Sequence, residues 1–252
     1  MKSFTLFLVV LFTILSTMAW ADVPEGYEGM AYREIPATDW FPLTVGNYWV
    51  YEGSAKIYGN NQVYEFRIRQ RVEVLEKLTA GDWSLYILEG HPMDALGIED
   101  LESTKGGKVV EVPGSKNGYL INQNQVYDVL GSQMEDFKKA MAAKDAETEL
   151  NALAGDEVFD FPLIVGKSFN RAMEPERADH YYEWYVMDKA PSPKWQVEGK
   201  PGDEYHLGFY TNPDHTDVWF VPGIGITHYK YHHNGTTFDV DVILKEYHLS
   251  SK

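Results

Sequence analysis

Alternating apolar and polar residues predict a β-hairpin in the first third of the chain. Two alternating runs, 47–58 and 62–75, flank Asn60-Asn61, a dipeptide that suits a two-residue turn. One register around this turn places apolar pairs on one face and opposite charges on the other, so we expect that register to form. The apolar pairs are Trp49 with Val72, Ala55 with Phe66 and Ile57 with Tyr64, and the charged pairs are Glu52 with Arg69 and Lys56 with Glu65.

A second hairpin is predicted near the end of the chain, around Asn234-Gly235. This dipeptide is a preferred type I′ turn, and the residues on both sides of it alternate again. A two-residue turn here predicts one apolar face and one polar face. The expected apolar pairs are Tyr229 with Val240 and Tyr231 with Phe238, and the expected polar pairs are Lys230 with Asp239 and His228 with Asp241.

Between the hairpins the pattern turns helical once. Residues 132–154 lack proline and glycine, are rich in Ala, Glu and Lys, and repeat their apolar residues at helical spacing. We therefore predict one helix of about 18 to 20 residues, near 133–153. The segment 190–203 contains three prolines, and we predict a loop there.

A short phrase occurs twice, as Phe41-Pro42-Leu43-Thr44-Val45-Gly46 and as Phe161-Pro162-Leu163-Ile164-Val165-Gly166. Proline followed by glycine is typical of a bend at the entrance of a strand, so we interpret both copies as scaffold. Together with the predicted strands, the phrase indicates a mainly β fold, a curved antiparallel sheet or incomplete barrel with one helix. We expect a single β-rich domain over 22–252, with two similar halves at about 40–154 and 160–252.

The first 21 residues are typical of a signal peptide. Lys2 precedes the apolar run Phe4 to Leu15, and Ala19-Trp20-Ala21 fits a cleavage site. The apolar run is shorter than the roughly 20 residues that span a bilayer, so we expect no stable membrane insertion. We predict export to the periplasm or the medium, with a mature chain that begins near Asp22.

Composition narrows the possible partners. Beyond residue 21 the chain has 21 basic and 38 acidic residues, a formal net charge of −17. Such a field repels nucleic acid and anionic membranes and favours cationic ligands. The sequence has no cysteine, which excludes disulfides, a cysteine nucleophile and lipid attachment at a lipoprotein cysteine. The 17 Tyr, 12 Phe and 7 Trp suit stacking surfaces or an apolar cavity.

Candidate chemistry is sparse. His228 and His232 lie roughly 13 Å apart along a strand at about 3.3 Å per residue, too far for a common zinc ion, and His233 points to the other face. There is no Gly-x-Ser-x-Gly elbow and no phosphate-cradling Gly-x-x-x-x-Gly-Lys loop. We therefore predict no catalytic residue, no metal and no cofactor, and the sequence indicates no oligomeric state.

The opening Phe41-Pro42-Leu43 through Gly46 to Trp49-Val50-Tyr51, with Pro222-Gly223-Ile224-Gly225 before the last hairpin, resembles a broad group of uncharacterised exported bacterial proteins. The group has no settled activity and no accepted catalytic residues, so the resemblance implies export but carries no catalytic residue over to this chain. A more distant likeness is to the periplasmic carriers of the LolA and LolB type. That likeness implies an antiparallel half-barrel whose helices close an apolar cavity.

We predict an exported, non-enzymatic binding protein with an aromatic-lined apolar concavity for a lipid or another hydrophobic ligand. The alternatives are a protein that binds or acts on carbohydrate and an assembly component without a small ligand. An interior cavity favours the first function, a surface row of rings the second and a fully packed core the third. The predicted ligand-binding residues are Trp49, Phe66, Tyr229, Tyr231 and Phe238.

Overall fold

A computed structural model describes residues 36–170, 178–197 and 199–250. The predicted signal peptide, 1–21, lies outside the described residues. The predicted fold class is confirmed, since 54% of the described residues are in strands and 15% are in α-helices or 3-10 turns, and the sheet is antiparallel and nearly closed into a barrel.

The described residues form thirteen strands, three α-helices and three 3-10 turns. The strands are β1 (Tyr48–Gly59), β2 (Gln62–Ala80), β3 (Trp83–Glu89), β4 (Val109–Glu111), β5 (Lys116–Asn122), β6 (Gln125–Val129), β7 (Glu157–Asp160), β8 (Ser168–Phe169), β9 (Trp184–Val197), β10 (Lys200–Tyr210), β11 (Asp214–Val221), β12 (Gly225–His233) and β13 (Phe238–His248). The α-helices are α1 (Ala37–Trp40), α2 (Met134–Met141) and α3 (Ala146–Leu153), and short 3-10 turns lie at Asp94–Gly97, Leu101–Thr104 and Gly131–Gln133.

One sheet contains all of these strands, in the order β7-β6-β5-β3-β2-β1-β13-β12-β11-β10-β9-β8, with β4 added in parallel to β2. The first long strand, β1, therefore pairs with the last strand, β13. The two ends of the order, β7 and β8, are consecutive in the chain, and both are very short. The barrel is incomplete at this place, which we call the β7–β8 seam.

The first predicted hairpin is confirmed in full. Each expected pair from Trp49 with Val72 to Ile57 with Tyr64 is a Cα pair of β1 and β2, and so are both charge pairs. Asn60 and Asn61 have φ angles of 50° and 60°. A type I′ turn needs positive φ at both central residues, and asparagine tolerates that conformation better than most residues.

The predicted register of the last hairpin is wrong by two residues. Tyr229 faces Val242 rather than Val240, and Tyr231 faces Val240 rather than Phe238. The turn is a four-residue loop, 234–237, because Nδ1 of His233 accepts hydrogen bonds from the amides of residues 235 and 236 at 3.0 Å. A shift of two keeps every side chain on its predicted face, since faces alternate with a period of two.

The predicted single helix near 133–153 is two helices of eight residues, α2 and α3. Asp145 interrupts the helical run, because its carboxylate accepts a hydrogen bond from the Thr148 amide and so forms the N-cap of α3. The regular spacing of apolar residues on both sides of the break conceals it in the sequence.

The loop predicted for 190–203 is also wrong, since strands β9 and β10 occupy it. Pro191 and Pro193 of β9 are tolerated because, among the described residues, β8 pairs with that edge of β9 only at Trp184 and Tyr185. Pro193 lies in a bulge between the paired residues Ser192 and Gln196.

Two apolar cores lie on opposite sides of the sheet. Tyr86 and Leu88 of β3 point into the barrel and join the interior core, whereas Leu85 and Ile87 point outward. The outward residues pack under α2 and α3, whose Phe137 and Leu150 are fully buried there. The helices therefore cover the outer wall of the barrel.

The repeated phrase forms two corners with the same hydrogen bonds. Gly46 has a φ of 88° and donates to the carbonyl of Val74 at 2.9 Å, and Gly166 has a φ of 89° and donates to Val186 at 2.8 Å. In each corner the partner valine also donates a hydrogen bond back, Val74 to the carbonyl of Asn47 and Val186 to the carbonyl of Lys167. The division of the chain into two similar halves stays a prediction, which these matching corners motivate.

Candidate functional site

A cavity of about 210 Å³ lies inside the barrel beside the β7–β8 seam. Residues from both halves of the sheet order line it, together with the turn that follows β3. Its lining consists of His91, Met93, Tyr119, Asp128, Asp156, Val158, Phe159, Asn170, Trp184, Phe209, Thr216, Val218, Ile226 and Tyr229. The cavity is large enough for several water molecules or one small organic ligand.

Five aromatic rings supply much of the wall, and each comes from a different strand. They are Tyr119 of β5, Phe159 of β7, Trp184 of β9, Phe209 of β10 and Tyr229 of β12. Their side chains belong to, or pack against, the interior core. Trp184 and Phe209 contact each other with ring centroids 5.5 Å apart. The curvature of the sheet thus brings together rings that are distant in sequence.

A cluster of phenylalanines closes one side of the cavity. Phe159 contacts Phe41, Phe161 and Phe220, with centroid distances between 5.0 and 5.7 Å. Phe41 and Phe161 are the first residues of the two copies of the repeated phrase, and both are buried. The phrase therefore anchors the wall of the cavity and does not enter it, in keeping with a scaffold role.

Asp128 is the acidic group deepest in this wall. It occupies the same face of β6 as Val126, which is fully buried in the interior core. Burial raises the pKa of the Asp128 carboxyl, the nearby carboxylate of Asp156 raises it further, and His91 and the Val129 amide oppose the shift in part. Asp156 is itself exposed, so it places one side of the cavity at the protein surface.

His91 faces Asp128 as a neutral imidazole. Its Nδ1 accepts a hydrogen bond from the Met93 amide at 3.1 Å, so the hydrogen of the neutral ring lies on Nε2. Burial lowers the pKa of His91, against the opposing effect of Asp128 and Asp94. The ring stands edge-on to Tyr229, with centroids 5.7 Å apart.

The two tyrosines of the wall are neutral phenols. Burial raises the pKa values of Tyr119 and Tyr229 above the ordinary value, and the charge of Asp128 raises both further. Thr216 forms a side-chain hydrogen bond with Tyr229. Ring faces, phenol hydroxyls, one imidazole and two carboxyls are therefore the groups that a ligand would meet.

Of the five predicted ligand-binding residues, Tyr229 lines the cavity. Trp49 borders a separate void of about 20 Å³, and its Nε1 donates to the carbonyl of Ile224 at 2.6 Å. Phe66 is buried in the interior core. Tyr231 and Phe238 pack against that core while partly exposed, and the Tyr231 hydroxyl donates to Asp214.

Sequence reasoning missed Asp128 and His91. For Asp128 the sequence does contain a signal, because in a strand a charged residue two positions after Val126 shares the face of that valine. A charge at an inward position is rare without a functional or structural reason. His91 carries no such signal, since it lies in a turn after β3.

A second polar cluster lies on the outer wall. Trp219 is stacked between His206 and His228, with centroid distances of 4.4 and 4.1 Å. Each histidine bonds an aspartate at 2.8 Å, His206 to Asp217 and His228 to Asp241. Because both faces of the indole are covered, this row is not a flat platform for a sugar ring.

Two other kinds of feature are absent from residues 36–170, 178–197 and 199–250. No group of three or more His, Cys, Asp or Glu residues within these ranges is arranged to hold a metal ion. No helix in the same part of the chain is both long and apolar enough to cross a membrane.

The fold and the cavity define a barrel-like β protein with a ligand-sized interior space. No family model matches the chain, and no curated protein gives a significant match. Two solved structures are similar to it, a "putative lipoprotein" from Parabacteroides distasonis and a "putative exported protein with YmcC-like fold" from Bacteroides fragilis. Both are 12% identical, with TM-scores of 0.34 and 0.33, and the alignments cover 82% and 83% of this chain and 97% and 98% of theirs.

Proposed function

We propose that this chain is an exported, non-enzymatic binding protein that holds a small, mainly apolar ligand in the cavity beside the β7–β8 seam. The observation that carries the proposal is the cavity of about 210 Å³ with five aromatic rings in its wall. Ligand sites are typically concave, mostly apolar and fitted with a few polar groups, and this cavity has that composition.

The size of the cavity sets the size of the ligand. An apolar protein cavity of about 150 Å³ binds benzene, and sites for drug-sized ligands begin at about 300 Å³. The cavity therefore suits one ring or a short branched alkyl group. A long-chain lipid would place only one end inside.

Export is part of the same proposal. The predicted signal peptide and the net charge of −17 beyond it support a soluble role outside the cytoplasm. The tryptophans of the described residues do not favour the alternative function, binding or acting on carbohydrate, because they form no exposed row of rings. Trp40, Trp49, Trp83, Trp184 and Trp195 are buried, and Trp219 is covered by its two histidines.

A cavity-filling variant tests the proposal. We expect calorimetry to detect toluene binding to the purified protein, and Val218→Phe to weaken it at least tenfold by filling the space. Val218 lines the cavity and is 2% exposed. The matched control is Val45→Phe, at an exposed corner outside the cavity lining, which should leave binding unchanged.

Thermal melts of both variants establish that they are folded before binding is compared. Equal affinity of the wild type and Val218→Phe for toluene would overturn the proposal. Native mass spectrometry of protein purified from its own compartment then identifies what fills the cavity in the cell.

A further inference from the structure

The charges around the cavity are unbalanced. Asp128 and Asp156 line it, and none of the described residues in its lining is lysine or arginine. The histidine of the wall, His91, is held neutral by its burial and by the hydrogen bond that its Nδ1 accepts. The cavity thus presents acidic groups without a basic partner in its described lining.

We infer that the ligand of this cavity is a compact organic cation, a tertiary or quaternary ammonium group carried on a small apolar body. This inference rests on the proposed function and specifies its ligand class. It follows from two independent features of the same space, its aromatic wall and its carboxyl groups.

The aromatic wall suits such a cation. Tyr119, Phe159, Trp184, Phe209 and Tyr229 approach the space from five strands around it. The face of an aromatic ring is electron-rich and attracts a cation within about 6 Å, and several rings around one space form the cages that bind quaternary ammonium groups. A methylated ammonium group also has the apolar surface that this wall would bury.

The acidic groups suit it as well. Asp128 lines the cavity, its carboxylate accepts a hydrogen bond from the Val129 amide, and the nearby Asp156 carries a charge of the same sign. A cation bound between them would favour the charged form of Asp128, which burial and Asp156 both disfavour. A neutral ligand would leave the charged form of Asp128 disfavoured, and an anion would disfavour it further.

Two probes of the same shape separate charge from size. Choline carries a trimethylammonium group, and 3,3-dimethylbutan-1-ol has the same outline with a neutral carbon in place of the nitrogen. We expect calorimetry to show that the full chain binds choline at least tenfold more tightly than the alcohol. Equal or weaker binding of choline, with the alcohol or toluene bound, would overturn the inference and leave the proposed function intact.

The variant Asp128→Asn tests whether the Asp128 carboxylate binds the cation, because asparagine keeps the shape of the group and removes its charge. We expect at least a tenfold loss of choline affinity and unchanged affinity for the alcohol. Asp241→Asn, at a half-exposed aspartate of the outer wall, is the matched control and should change neither. Unchanged choline binding in Asp128→Asn would contradict the role of the carboxyl.

A second variant covers the case in which Asp128→Asn fails to fold. Asp156→Asn lies at the exposed side of the cavity, and we expect it to weaken choline binding by about threefold without affecting the alcohol. An equal loss for both probes would show that shape rather than charge was altered and would count against the inference. No binding of any of the three probes to the wild type would overturn the proposed function itself.

Discussion

At the scale of single residues, Asp217 shows how hydrogen bonds stabilise a partly buried carboxylate on the outer wall. Its Oδ1 accepts hydrogen bonds from Nε2 of His206 at 2.8 Å and from the hydroxyl of Tyr210 at 2.6 Å. Burial on its own would raise the pKa of Asp217, and the hydrogen bonds from His206 and Tyr210 outweigh it and lower that pKa. Burial likewise opposes the raised pKa of His206, which Asp217 and Asp188 together produce.

The directions of these shifts predict a pH window. A raised histidine pKa stabilises the fold below about pH 6.5, and this contribution is lost as pH rises through the folded-state pKa. A lowered aspartate pKa stabilises it above about pH 3.9, and this contribution is lost as pH falls through the folded-state pKa. The pair should therefore stabilise the protein most between about pH 4 and 6.5.

We predict that Asp217→Asn lowers the free energy of unfolding by about 1–2 kcal/mol at pH 5 and by less at pH 9, because it removes a charge-assisted hydrogen bond. Urea denaturation at the two pH values measures the difference. Asp241→Asn is the control, since His228 and Asp241 have the same 2.8 Å contact but Asp241 is 49% exposed, so its effect should be smaller at both values. A loss for Asp217→Asn that grows with pH would contradict the assignment.

At the scale of elements, the position of α2 and α3 decides what the helices can do. They pack on the outward face of β3 and β5, on the far side of the wall from the interior core. A lid over the cavity would have to contact the cavity lining, and no residue of either helix belongs to that lining. The helices therefore stabilise the wall and do not gate the cavity.

We predict that Phe137→Ala lowers the free energy of unfolding by about 3–4 kcal/mol, because it empties the centre of the outer core, and leaves ligand affinity unchanged where the protein is folded. Chemical denaturation and calorimetry with toluene provide the two measurements. The comparison variant is Phe209→Ala in the cavity wall, which should alter affinity. Altered affinity in Phe137→Ala would revive a gating role for α2.

The elements were predictable from sequence to the extent that their signals are local. The Asn60-Asn61 turn fixes its hairpin by backbone preference alone, and that register is correct. The loop after His233 depends on a side-chain imidazole that binds the backbone, which no dipeptide rule reveals. The strand through 190–203 depends on the short length of β8, a property of another part of the chain.

The sequence predicts the aromatic character of the candidate site but not which residues line it. Alternation correctly places Trp49, Phe66 and Tyr229 among buried residues, and the sequence predicts an aromatic interior. Which inward residues border empty space depends on where the sheet fails to close. That place is set by the four-residue β7 and the two-residue β8, whose shortness is invisible before the fold is known.

At the scale of the whole molecule, the two matching corners allow a direct comparison of equivalent positions. Gly46 and Gly166 share a positive φ near 90°, and a Cβ added at either meets no other atom within 4 Å. Any cost of alanine at these positions is therefore a cost of backbone conformation alone.

We predict that Gly46→Ala and Gly166→Ala each lower the free energy of unfolding by about 1–2 kcal/mol, and by similar amounts, since an L side chain disfavours positive φ. Gly97→Ala is the control, because Gly97 also has open space around it but lacks a positive φ. Its expected change is near zero. Unequal losses at the two corners would argue against their equivalence.

The pairing of β1 with β13 has a consequence for how the barrel is assembled. The hairpin of β1 and β2 is local, but the contact between Tyr48 and Glu246 joins residues 198 positions apart. Closing so long a loop is entropically costly and slows folding. Until β13 docks, β1 exposes an unpaired edge of the kind that recruits other chains into aggregates. A newly made chain is therefore protected from edge-to-edge aggregation only after its last strand, the eleven-residue β13, has paired with β1.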